Sequence, residues 1–169
     1  SLLMSKASSL YSCLSKTNLS PASLLTQLNN EICETISRGM FVTMLIGIYD
    51  SNSKELLLAN AGHEPPIILN DKSEFSNFNE AGPPLGIVAK TTYKEYKVKF
   101  EKSSMYIFTD GITEIKNPQG EELGSVGFQN YITKYKEMPN NERLRKIIDN
   151  ILDSKYVQKD DLTIVVLDA

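Results

Sequence analysis

Leu3, Ala7, Leu10 and Leu14 recur at spacings of four, three and four, which predicts an amphipathic helix over residues 2 to 16, with serines on much of its other face. The segment 17 to 21 breaks that pattern. Ser20 followed by Pro21 reads as an N-cap with proline at the first helical position. A second helix is expected from there to about residue 36, with Leu25, Leu28, Ile32 and Ile36 on its apolar side and Gly39 as the stop signal. The period then changes. Residues 41 to 49 are β-branched and aromatic-rich, Asp50-Ser51-Asn52-Ser53 is turn chemistry, and residues 55 to 61 return as a second strand, so the pair reads as a hairpin.

Residues 65 to 70, 75 to 78, 93 to 100 and 104 to 109 give further short strands with polar turns between them. Phe128, Tyr131, Ile132 and Tyr135 mark one late helix. Leu144, Ile147, Ile148, Ile151 and Leu152 mark another, capped by Asn140 or Asn141, and residues 162 to 167 form a closing buried strand. Helices on either side of a block of strands, without regular βαβ alternation, argue for an α+β fold with helices covering antiparallel sheet. No repeat or linker divides residues 1 to 169, which read as one domain.

Composition narrows the function classes. The 169 residues bury a sizeable core without disulfide or metal staples, because a chain of this length hides roughly two-thirds of its unfolded surface. With 18 basic and 21 acidic side chains and a net charge of −3, no basic field draws nucleic acid, which is not an expected partner. Cys13 and Cys33 lie in the two early helices without CxxC spacing and read as small packing residues. No apolar run approaches the ~20 residues that cross a bilayer, so no membrane contact is expected of this segment and a cytoplasmic setting is. The first residues are already helical in pattern, so the chain is expected to be a piece of a longer protein.

The inventory of reactive groups is short: one histidine, two cysteines and no tryptophan. A zinc site of several His and Cys ligands cannot be assembled, and no serine sits in a GxSxG turn. Carboxylates remain, and a cation held by oxygen alone is a hard one such as Mg²⁺ or Mn²⁺. Asp110 ends an apolar strand and is followed by Gly111, where backbone can approach closely. Asp160 and Asp161 stand side by side before the final strand, and such like charges point to a cation between them. A plain turn and a solvated strand entry are the competing readings of these two places. His63, the one imidazole, invites a catalytic or pocket role, but with no second histidine or nucleophile to work with it the preferred reading is a loop histidine that hydrogen-bonds backbone at a strand exit. The segment Gly82-Pro83-Pro84-Leu85-Gly86 lacks the GK[ST] ending of a phosphate loop and reads as a rigid turn, with Gly86 at a possible pocket rim.

With these residues in place, the chain resembles the PPM family of metal-dependent serine/threonine phosphatases, in its bacterial SpoIIE/RsbU-like branch. The resemblance runs the whole length. It rests on Met40-Phe41-Val42-Thr43-Met44, Asn60-Ala61-Gly62-His63, Pro84-Leu85-Gly86, Thr109-Asp110-Gly111 with Thr113-Glu114, and Asp160-Asp161-Leu162-Thr163, in that order. It implies an α-β-β-α sandwich with metals at one edge of two packed antiparallel sheets. It also implies that Asp110 and Asp160 are metal ligands, with Asp161 in the place of the neighbouring acid or amide.

The departure is at the start: the acidic-glycine motif that bridges two metals in this branch, and the GHG or GKG segment after it, are not among these residues. The resemblance implies attack on phosphorus by a metal-activated water without a phosphoenzyme. Two Mn²⁺ or Mg²⁺ ions belong to the complete site, and one or none is expected here, with weak turnover. It implies a serine- or threonine-phosphorylated anti-sigma-factor antagonist as substrate and a sensor or receiver domain upstream. A homodimer through the first two helices would fit it as well. A non-catalytic phosphatase-like binding module is the first alternative, and a purely structural or oligomerising domain the second.

Overall fold

A computed structural model describes residues 2–35, 39–76, 78, 81–153 and 161–169. They fall into two compact units, one formed by residues 1–65 and 78–101, the other by residues 66–77 and 102–169.

In the first unit, helices α1 (Leu2–Leu14) and α2 (Pro21–Thr35) stand where the periodicity places them. Pro21 opens α2 because it has no N–H to leave unsatisfied there, and the Ser20 carbonyl accepts the first helical bond from Leu24 at 2.9 Å. Glu95, distant in sequence, supplies an acidic cap by accepting the Ala22 N–H at 3.0 Å. Leu25, Leu28 and Ile32 are fully buried against Val42, Ile46, Ala59, Ala61, Leu85 and Tyr93. Ile36, the next position of that stripe, lies outside the described residues. Leu3, Ala7, Leu10 and Leu14 pack onto the same cluster, but Cys13 is exposed and Cys33 is half-buried, so neither is the core residue its type suggested. The packed face of α1 is already filled by the four apolar positions, and Cys13 projects away from it.

The hairpin forms as expected from β1 (Met44–Asp50) and β2 (Glu55–Ala61), in register from Met44↔Ala61 to Asp50↔Glu55. Its turn is held by the Asp50 carboxylate, which accepts the Asn52 N–H at 2.8 Å; these turn amides hold the Asp50 carboxyl below its usual range. A third strand pairs antiparallel with β2; it covers only 96–99 of the expected 93–100, because Tyr93 instead turns inward and donates its hydroxyl to the Pro83 carbonyl at 2.8 Å.

In the second unit the strands 67–69, 75–76, 104–108 and 164–168 form one antiparallel sheet. Numbering all strands in chain order makes β5 Tyr96–Lys99, and these four β3 (Ile67–Leu69), β4 (Phe75–Ser76), β6 (Ser104–Phe108) and β7 (Ile164–Asp168), in the order β4-β3-β6-β7. Three helices accompany them: a single turn α3 (Asp110–Thr113), α4 (Gly124–Tyr135) and α5 (Asn140–Asp153). Phe128 and Ile132 from α4 and Ile147 and Ile151 from α5 are buried against Tyr106 and Phe108. Phe128 meets both aromatic rings edge-on, at centroid distances of 6.2 and 4.9 Å, the geometry that their quadrupoles favour.

Two polar contacts hold these units internally. Asn29 on α2 is 0% exposed; its amide donates to the Val88 carbonyl at 2.8 Å and accepts the Gly86 N–H at 3.0 Å. Arg143 on α5, 5% exposed, makes a bidentate pair with Asp168 on β7 at 2.6 and 2.8 Å, and lies over the Tyr106 ring. Replacing Asn29 by alanine strands an N–H and a carbonyl inside the fold, and is expected to cost about 2–3 kcal/mol in urea denaturation. Asp168→Ala is expected to destabilise more than Arg143→Met, by about 1 kcal/mol or more, because it leaves the buried guanidinium uncompensated whereas the reverse leaves a half-exposed carboxylate.

Candidate metal centre

Strand β6 ends at Phe108, and Thr109, in extended conformation at φ −90° and ψ 158°, is the N-cap of α3. Asp110 therefore opens a helical turn rather than a simple strand-end loop. Its backbone carbonyl accepts the Glu114 N–H at 2.8 Å and the Thr113 hydroxyl at 3.1 Å, while its carboxylate accepts the Gly111 N–H at 2.9 Å. That last bond holds the acid at the helix start, where the dipole favours negative charge.

The chain returns to this place 50 residues later, at the entry to β7. Thr109 ties the two stretches together with one main-chain and one side-chain group. Its N–H donates to the Thr163 carbonyl at 3.1 Å; its hydroxyl donates to the Asp161 carbonyl at 3.1 Å and accepts the Thr163 N–H at 3.2 Å. Gly111 fits beneath: a Cβ there would lie 2.6 Å from the Asp161 carbonyl oxygen, closer than any side chain tolerates. The close backbone approach expected at Asp110-Gly111 is thus an approach to Asp161.

Asp110 and Asp161 are both exposed at this end of the sheet. Beside Asp161 opens a cleft of about 450 Å³ with an apolar floor that includes Ile112, Ile148 and Ile164. The donor set is oxygen only, which suits a hard cation such as Mg²⁺ or Mn²⁺ and gives nothing to a thiolate- or imidazole-seeking metal. Among the described residues no group of three or more His, Cys, Asp or Glu gathers as a cation site. Asp160 lies outside the described residues.

The other two candidates belong to the first unit. His63 follows β2 in a turn clasped by Asn60, whose side chain accepts the His63 N–H and donates to the His63 carbonyl, both at 2.9 Å. Gly62, at φ +69°, packs so tightly on Pro84 that a Cβ would sit 2.5 Å from its ring. Gly86, at φ +92°, is fixed by Asn29 and shapes the loop as a rigid turn, as its Pro-Gly sequence suggested. Sequence reasoning passed over Thr109 and Thr163 as binding elements of the site. A signal was present at Thr109, a hydroxyl next to Asp110 that can bond across two strand ends; Thr163 takes part through its backbone alone.

The family described as Stage II sporulation protein E (SpoIIE) matches residues 1–169. The chain is 30% identical over 157 residues to the phosphoserine phosphatase RsbU of Bacillus subtilis, covering 91% of this chain and 47% of that protein. It therefore spans about half the length of this relative. Its fold is that of the SiaA-PP2C domain of Pseudomonas aeruginosa, with a TM-score of 0.83 at 18% identity over 99% of this chain and 69% of that one. The same fold is seen in RsbX, solved in complex with magnesium, with a TM-score of 0.66 at 16% identity over 98% of this chain and 74% of that one. The two antiparallel sheets with flanking helices are thus those of a PP2C-type α+β fold.

Gly111→Ala tests the strand-end junction. The added methyl must push the Asp161 carbonyl away, so the variant is expected to lose about 1–3 kcal/mol of stability. Mn²⁺ affinity, read by titration calorimetry at a temperature where the variant is folded, is expected to fall at least tenfold.

Proposed function

Since the chain belongs to the SpoIIE family, we propose that residues 1–169 act as one metal-dependent phosphatase domain that hydrolyses phosphoserine or phosphothreonine on a regulatory protein. The observation that carries this reading is the junction of Thr109-Asp110-Gly111 with Asp161-Leu162-Thr163, which sets two exposed carboxylates on adjoining backbone. The Bacillus subtilis relative, named a phosphoserine phosphatase, supports the reaction class, and the magnesium in RsbX supports the cation class.

Asp110 and Asp160 hold Mn²⁺ or Mg²⁺, with Asp161 as the neighbouring acid. Bound there, such cations supply Lewis-acid stabilisation of the phosphoryl oxygens and activation of water. The chain's own part is to orient the carboxylates: Thr109 locks the two strand ends and the Gly111 N–H fixes the Asp110 side chain. No cysteine or serine nucleophile is needed; Cys13 and Cys33 sit on α1 and α2. The substrate is an anti-sigma-factor antagonist-type protein, and a sensor or receiver domain upstream in the parent chain governs the activity. Helices α1 and α2 provide a homodimer contact. The setting is cytoplasmic; among the described residues no helix is long and apolar enough to cross a membrane.

Among the described residues no group of three or more candidate ligands gathers, which keeps a phosphatase-like binding module, and slow turnover by residues 1–169 alone, as the second reading. The test is Mn²⁺-dependent hydrolysis of p-nitrophenyl phosphate by the chain, by Asp110→Asn, and by a form extended at its start with the family's acidic-glycine motif. Extension is expected to raise the rate about 100-fold or more, and Asp110→Asn in the extended form to remove that gain. Folded proteins that are silent in all three forms would establish the binding module instead.

A further inference from the structure

Asp110 is bracketed by the two residues that hold the Asp161 carbonyl. Thr109, before it, donates its hydroxyl to that oxygen at 3.1 Å. Gly111, after it, leaves room for the same oxygen, which would lie 2.6 Å from a Cβ placed there. The peptide plane that leaves Asp161 is therefore bonded on one side and abutted on the other by the immediate neighbours of Asp110. The Asp161 side chain branches from the Cα next to that plane, so only rotation about the Cα–C bond separates the fixed carbonyl from the carboxylate it serves. The backbone around one acid thus places the backbone of the other.

Of the three bonds that Thr109 makes across this junction, one is independent of its side chain. The N–H donates to the Thr163 carbonyl at 3.1 Å and extends the ladder by a step. The hydroxyl alone reaches Asp161. Its single proton is directed there while its oxygen accepts the Thr163 N–H at 3.2 Å. Valine has the outline of threonine but neither donates nor accepts. Thr109→Val therefore keeps the backbone bond to Thr163 and releases the Asp161 carbonyl, whereas Thr109→Ser keeps both.

The other end of the same two strands carries a matching bond. Ser104, the first residue of β6, donates its hydroxyl to the carboxylate of Asp168, the last of β7, at 2.6 Å. Both hydroxyls belong to half-buried residues, so the loss of either costs the sheet a comparable, small amount. They differ in what they hold. Ser104 bonds a side chain that Arg143 already grips with two bonds, whereas Thr109 bonds the backbone of an acid at the candidate centre. A hard cation separates the two cases: Mg²⁺ demands near-ideal octahedral geometry at about 2.0–2.1 Å, so a carboxylate displaced by a fraction of an ångström is a poorer ligand even in a folded protein. We propose that Thr109 is the positioning residue of the centre, its hydroxyl setting the Asp161 backbone against Asp110 for cation binding; this rests on the metal-dependent phosphatase reading given above.

The test is Mn²⁺ binding by the chain, read from the electron paramagnetic resonance signal of the free ion, in Thr109→Val, Thr109→Ser and Ser104→Ala. Circular dichroism and thermal melts accompany each variant. Thr109→Val is expected to raise the Mn²⁺ Kd about tenfold or more, the range typical of outer-sphere partners, while lowering Tm no further than Ser104→Ala does. Thr109→Ser and Ser104→Ala are expected to bind like the parent chain. An unchanged Kd in Thr109→Val would overturn the proposal and leave the metal reading in place. Equal losses in Thr109→Val and Ser104→Ala would trace the effect to the sheet as a whole and overturn it likewise, as would a serine variant that binds no better than the valine one. A Thr109→Val chain that does not fold would make the hydroxyl a requirement of the fold instead. A parent chain that binds no Mn²⁺ would overturn the metal reading, and the proposal with it.

Discussion

The hydroxyl of Thr109 is the contact on which the candidate centre depends. It donates to the Asp161 carbonyl and accepts the Thr163 N–H, partners 52 and 54 residues away in sequence. An antiparallel pair of strands fixes the register of its interior residues by ladder bonds, but the residues just past its last rung are free to splay. The last rung here is Phe108↔Ile164. Both acids lie beyond it, so the ladder alone would not set their separation. The Thr109 N–H adds one bond beyond the last rung and its hydroxyl two more, which converts two fraying ends into a junction. Gly111 then lets the backbones meet without a side chain between them.

The same strand is held at its other end by a different kind of interaction. Asp168 receives two bonds from Arg143 and one from the Ser104 hydroxyl at 2.6 Å. A buried ion pair of this kind gives little net stability, because desolvation offsets most of the attraction, but it strongly disfavours alternatives in which one charge is left alone. A slip of β7 by one residue would move Asp168 away from the guanidinium and turn Ile164 and Val166 out of the core they share with Phe128. Apolar burial and ion pairing therefore select the same register, and that register delivers Asp161 to Thr109.

Elements with strong periodicity were legible in the sequence. The helices and the hairpin stand where the apolar spacing predicts, with ends displaced by a few residues where a side chain found a better partner, as Tyr93 did; the closing strand is in place but is not the buried strand expected, since Val165 and Leu167 are 48% and 46% exposed and only its other face packs on the core. The close backbone approach expected at Asp110-Gly111 is also present, against the Asp161 carbonyl. Long-range polar bonds were not legible. Glu95 capping α2, Asn29 gripping the loop at Gly86, and Arg143 meeting Asp168 join residues 73, 57 and 25 apart. No local pattern encodes such pairs, because the residue types are ordinary for a surface and become special only when the fold brings them together. Cys13 shows the converse: its type favours burial, but the helix face it occupies has nothing packed on it.

The division of labour between Asn and the acids follows from solvation. Asn29 is a neutral amide and can be buried whole, since two backbone partners satisfy it at modest cost. A carboxylate in the same position would lack the proton needed to donate to the Val88 carbonyl and would carry an uncompensated charge. Asp110 and Asp161 are instead left at the exposed end of the sheet, where water pays for their charge in the absence of a cation and where a cation can arrive with part of its hydration shell intact. A dry interior therefore holds a neutral amide with its partners in place, and a wet edge holds the charged acids.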